Sequence, residues 1–75
     1  MNKFATKAVR TTGVYQGWVG SPTIYYYLSA GETVVINCHA TSTYSAMRPG
    51  WREGWVNGFD LDTGHDPNPN VPPCN

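Results

Sequence analysis

The segment Gly54 to Leu61, Gly-Trp-Val-Asn-Gly-Phe-Asp-Leu, constrains the fold of this chain more than any other. Val56 and Leu61 are its apolar anchors. Asn57-Gly58 supplies a tight turn between them, since Asn and Gly adopt turn conformations closed to most residues. Trp55 and Phe59 bring more aromatic surface than so short a segment needs for packing alone. A strand ending in such a turn suits the closing element of a small β-barrel, or the floor of a binding groove. Helical signal is nearly absent elsewhere. No eleven-residue window places apolar residues at i, i+3, i+4 and i+7 without glycine, proline or β-branched interruptions.

Strand signals are frequent and short. The first covers about Thr6 to Thr11, with Val9 as its best core residue and Lys7 on the same face. Thr12 to Thr23 carries Gly13, Gly17, Gly20 and Pro22 and is expected to be a loop. Ile24 to Leu28 is the second strand, with Ile24, Tyr26 and Leu28 on one face and Tyr25 and Tyr27 on the other. The clearest strand, Thr33 to Cys38, sets Val34, Ile36 and Cys38 against Thr33, Val35 and Asn37. Thr43 to Met47 and Gly54 to Val56 complete five, and one short 3₁₀ turn fits Asn57 to Leu61.

Seventy-five residues make one domain near the lower limit for a self-sufficient core, and chains of this size often need a staple. Four prolines between Pro67 and Pro73 forbid a sheet interior and favour an extended path. A tail of that composition has no reason to be ordered unless it is pinned. Cys38 and Cys74 are expected to pin it as a disulfide, which places the protein in an oxidising compartment. The alternative is a buried thiol in the third strand and a free thiol in a loose tail.

Five Lys+Arg against five Asp+Glu leave no net field to draw the chain onto nucleic acid or anionic lipid. No apolar run approaches the ~20 residues that span a bilayer, so membrane insertion is not expected. The amino terminus, Met1-Asn2-Lys3-Phe4, lacks the apolar core of a signal peptide. Only 13% of residues are charged. Such a surface suits a secreted or surface-exposed β-domain, or a subunit of an assembly.

The order of elements resembles the bacterial SH3-like (SH3b) domain. Ala8-Val9-Arg10-Thr11, a loop with Ser21-Pro22, Leu28-Ser29-Ala30-Gly31-Glu32-Thr33-Val34, and Gly54-Trp55-Val56-Asn57-Gly58 carry the likeness. It covers about Thr6 to Leu61. Three positions depart from the family pattern: Lys7 replaces an apolar residue, Ser29 replaces the proline of the turn, and Asp60 stands where the family often has an aromatic. The resemblance implies a five-stranded, partly open barrel over residues 6–61. Residues 1–5 would be an amino-terminal extension and 62–75 a proline-rich tail tethered by the disulfide. It also implies a module that binds peptides or peptidoglycan.

Ten aromatic residues exceed what so small a barrel should hold inside. Tyr26, Trp51 and Phe59 have a plainer reading as core or rim. Tyr15, Trp18, Tyr44, Trp55 and Phe59 are the candidate ligand-binding residues. Val56 points inward along a strand, so Trp55 points outward. Exposed aromatic faces stack on sugar rings or grip extended peptides. Asp60 to Asp66 has acidic groups at alternate positions, as a calcium loop begins, but Val71 stands where the bidentate Glu belongs. Cys38, His39, His65 and Cys74 lack zinc-site spacing. Neither a metal nor another cofactor is expected. Glu53 and Asp60 are explained as surface charge, and no nucleophile motif is present, so no enzyme is expected.

Two functions follow. One is a non-catalytic module that recognises a cell-wall peptide or glycan at the cell surface or outside the cell. The other is a small assembly subunit, of a phage particle or a secreted filament, using the same apolar surface between copies. A small inhibitor or toxin is a third reading.

Overall fold

The computed structural model describes residues 4–64 and 68–74. The chain is all-β, with strands β1 (Phe4–Lys7), β2 (Thr12–Tyr15), β3 (Ile24–Leu28), β4 (Thr33–Ala40), β5 (Thr43–Met47) and β6 (Gly54–Asn57), then a 3₁₀ turn at Gly58–Asp60. They form one antiparallel sheet in the order β1-β4-β5-β6-β2-β3, with β1 and β3 at its edges. The architecture is thus an open six-stranded sheet, not the expected five-stranded barrel.

The extra strand is β2, which lies inside the segment expected to be a loop. Gly13 does not break it, because the Tyr15 ring folds back over that position and closes the gap left by the missing side chain. A Cβ on Gly13 would meet Tyr15 Cε1 at 3.0 Å. Thr12, the first residue of β2, is anchored by donating its hydroxyl to Asp60 (2.7 Å).

The inward residues of five strands meet in one core. Val14, Leu28, Val34, Ile36, Tyr44, Ala46 and Val56 are buried there with Ala8, Leu61 and Val71. Residues from both halves of the sheet can share one cluster only if the sheet curls around it. Backbone bonds beyond the strand ladders support the curl. Ala8 N–H donates to the Glu32 carbonyl (3.0 Å), Gly31 N–H donates to Ala8 (2.7 Å), and Asp62 N–H donates to Lys7 (2.8 Å). Burial of Val34, Ile36, Val56 and Leu61 agrees with the sequence pattern.

Position Ala8, not Val9, supplies the core residue of the first segment. Val9 is 47% exposed while Ala8 is 2% exposed. Lys7 and Val9 do lie on the same side, but it is the solvent side, and β1 begins at Phe4, within the expected extension.

Two bulges reset the alternation. Val14 pairs with Tyr26 and Tyr15 with Ile24, which leaves Tyr25 as an extra residue on β3. Ile36 pairs with Ala46 and Cys38 with Ser45, which leaves Asn37 extra on β4. Cys38 therefore leaves the face of Val34 and Ile36, and Ile24 leaves the face of Tyr26 and Leu28.

The expected tethered tail is, over residues 71–74, a segment fastened along β4 and packed against the core. Cys38 and Cys74 form the disulfide, with Cα atoms 4.7 Å apart. His39 N–H donates to Pro72 (2.9 Å), Cys74 N–H donates to His39 (3.0 Å), and Val71 enters the core.

Candidate functional site

Residues directly opposite one another in neighbouring strands project from the same face of a sheet. Tyr44 opposes Val56 and faces the core, so their neighbours Ser45 and Trp55, themselves opposed, face outward. Trp55 in turn opposes Tyr15, and Ser45 opposes Cys38. A row from Cys38 through Ser45 and Trp55 to Tyr15 thus crosses the outer face of four strands. The two bulged residues, Asn37 and Tyr25, flank the two ends of this row.

The segment from Gln16 to Thr23 bends over the row. Gln16 N–H donates to Thr23 (3.0 Å) and closes it, while Ser21 N–H donates to Trp18 (3.1 Å). The Ser21 hydroxyl accepts from Thr23 N–H at 3.1 Å and is buried. Gly17 and Gly20, with φ of 82° and 91°, permit the sharp turns. Trp18 is left 62% exposed at the tip.

Two adjoining hollows result, with Gly17 and Trp55 in the wall of both. The larger, about 380 Å³, lies between Trp18 and Val19 on one side, Ala40, Thr41 and Thr43 of the β4–β5 hairpin on the other, and Trp55. Thr41 has φ 52°, the one non-glycine residue among those described with positive φ, so the hairpin tip beside the cleft holds a strained backbone. The smaller, about 230 Å³, is lined by Tyr15, Tyr25, Ser45, Glu53, Gly54 and Trp55. Gly54 is required by close approach: a Cβ there would lie 2.7 Å from both the Tyr15 carbonyl oxygen and Val14 Cγ1.

Charge enters this surface through Glu53. Its Oε2 accepts from Asn37 Nδ2 (2.6 Å) and from the Ser45 hydroxyl. The neighbouring Arg52 places its guanidinium over the Tyr25 ring, 4.1 Å from the centroid. The other arginines lie elsewhere. Arg10 pairs with Asp60 (2.5 Å), and Arg48 pairs with Glu32 while stacking on Tyr26 and Trp51.

The structure brings together three of the five candidate aromatics. Trp18 and Trp55 line the larger hollow, and Tyr15 and Trp55 the smaller. Tyr44 belongs to the core instead, fully buried opposite Val56, with its hydroxyl donating to the Gly64 carbonyl (3.1 Å). The alternation of Tyr44 and Ala46 in Thr43–Met47 carried that signal. Phe59 is 55% exposed on the 3₁₀ turn but lines neither hollow. Tyr26 packs against the core, and Trp51 is 53% exposed, meeting Tyr26 edge-on with centroids 5.0 Å apart.

Residue type does not single out Tyr25, and Glu53, expected as surface charge, lines the smaller hollow. Regular alternation put Tyr25 beside Tyr27, and nothing local tells that Glu53 returns across β5 to Asn37. A further hollow of about 580 Å³ runs along β1, from Phe4 to Lys7, opposite Asp62, Thr63 and Asn68. Of the residues weighed as metal ligands, Asp60 is engaged by Arg10 and Thr12, and Cys38 and Cys74 are joined to each other. His65 and Asp66 lie outside the described residues. No family model, curated protein or solved structure matches the chain.

Proposed function

We propose that this protein is a non-catalytic binding module that recognises a cell-wall peptide or glycan through the groove around Trp18 and Trp55. The observation that carries the reading is the pair of adjoining hollows on the outer face. One is walled by two tryptophans and small residues, the other by tyrosines and a carboxylate. Apolar ring faces with a few fixed polar groups suit a sugar ring or an extended peptide. The resemblance to bacterial SH3-like domains supports the cell wall as the source of the ligand. The disulfide fits an oxidising setting, at the cell surface or outside the cell.

The assembly reading has one feature in its favour. β3 is an edge strand and carries Tyr27, 56% exposed, although the Tyr27 carbonyl accepts from Arg48 Nη2 (2.9 Å). Co-sedimentation with purified peptidoglycan sacculi, run beside light scattering of the free protein, separates the two. A monomer that sediments with sacculi supports the binding module. An oligomer that leaves sacculi untouched supports the assembly subunit and removes the first reading.

A further inference from the structure

The smaller hollow differs in chemistry from the cleft it adjoins. Its walls are formed by Tyr15, Tyr25, Ser45, Glu53 and Trp55, and most of the surface they expose to it is polar. Ser45 already donates to Glu53, and Asn37 donates to the same oxygen. Both bonds hold the carboxylate in one orientation and leave Oε1 without a hydrogen-bond partner among the described residues. Among the described residues no ion pair reaches Glu53: Arg10 and Arg48 are taken by Asp60 and Glu32, Lys7 lines the hollow along β1, and the neighbouring Arg52 rests on the Tyr25 ring. A carboxylate held in place by two donors, with its other oxygen open, attracts a cation.

We propose that this hollow is a subsite for an ammonium group at the end of a lysine-type side chain, belonging to the ligand whose remainder lies in the Trp18–Trp55 cleft. The inference rests on the binding-module reading and names what that ligand must carry. A volume of about 230 Å³ admits a butylammonium group. Glu53 meets the ammonium, and Tyr15, Tyr25 and Trp55 border the hollow that the ligand's side chain enters. Asn37 and Ser45 are positioning residues that act through Glu53. Gly17 and Trp55 border both hollows, so a branch entering the smaller one continues from a chain lying in the larger.

The test is an NMR titration of the folded protein, following the Trp55 indole N–H. The probes are Nα-acetyl-lysine methylamide and its Nε-acetylated analogue, and the proteins are the parent and Glu53→Gln. The lysine probe should shift the Trp55 signal. Binding should be about five-fold or more weaker for the acetylated probe and for Glu53→Gln, and should weaken as salt rises. Gln retains an acceptor for Asn37 and Ser45, so the rest of the spectrum should stay in place. Glu53→Asp keeps the charge and should bind better than Glu53→Gln. Equal affinity of parent and Glu53→Gln for the lysine probe, or of the two probes for the parent, overturns the proposal. Sacculus binding that needs Trp18 but ignores Glu53→Gln removes the ammonium subsite and keeps the binding module. Glu53-dependent lysine binding with no sacculus binding keeps the subsite and removes the cell-wall reading.

Discussion

Glu32 joins the β3–β4 turn to the end of β5 through Arg48. The Arg48 guanidinium, and then the Ser29 N–H (2.6 Å), hold the Glu32 carboxyl below its ordinary value of 4.5. A carboxylate with a lowered folded-state pKa stabilises the fold above the unfolded value and loses that contribution as pH falls through the folded one. Glu32→Gln should therefore melt below the parent at pH 7, and the gap should narrow as the pH falls below 4.5 and the parent's Glu32 takes up its proton. A gap that persists undiminished in acid would mean that the pair does not act through charge. Single residues were legible in the sequence where alternation is regular: Val34, Ile36 and Val56 inward, Trp55 outward. Legibility stopped at Asn37 and Tyr25. A bulge is one extra residue whose cost and benefit lie on the partner strand, and no local pattern announces it. The site's polar half depends on those two residues.

Elements were easier to find than their count. β3, β4, β5 and β6 fall within a few residues of the strands expected from apolar alternation, and the 3₁₀ turn lies inside Asn57 to Leu61. β2 was hidden because glycine is a poor strand former by itself. At Gly13 the covering Tyr15 ring comes from the same strand two residues on, a compensation visible only once the chain is folded. The carboxy-terminal strap was legible as a disulfide but not as a packed element. Val71 and the backbone bonds to His39 make it part of the core wall. The Cys38–Cys74 bridge spans a sequence separation of 36, which corresponds to roughly 4 kcal/mol of chain-entropy stabilisation. Cys38→Ser/Cys74→Ser should lose about that much in urea unfolding, a large part of the stability of a small domain. A loss below ~1 kcal/mol would show that Val71 and the His39 bonds hold the strap without the bridge.

At the scale of the whole molecule, one curled sheet does two things with its two faces. The inner face closes around the core from Val14 to Val71, and the outer face carries the row ending at Tyr15 under the loop of Trp18. The resemblance read in the sequence gave a barrel of five strands. The open sheet of six keeps the outward Trp55 while adding β2 as the strand that brings Tyr15 to it. On the binding-module reading, Trp18 is displayed for a ligand and not for the fold. Its 62% exposure makes it nearly silent in stability, whereas an aromatic anchor in a binding cleft is worth ~2 kcal/mol or more to the complex. The direct measurement is Trp18→Ala, assayed in parallel for its melting temperature and its affinity for peptidoglycan sacculi. The melting temperature should stay within a few degrees of the parent, and the affinity should fall by about thirty-fold. A variant that binds sacculi as tightly as the parent, or that melts far below it, contradicts the claim.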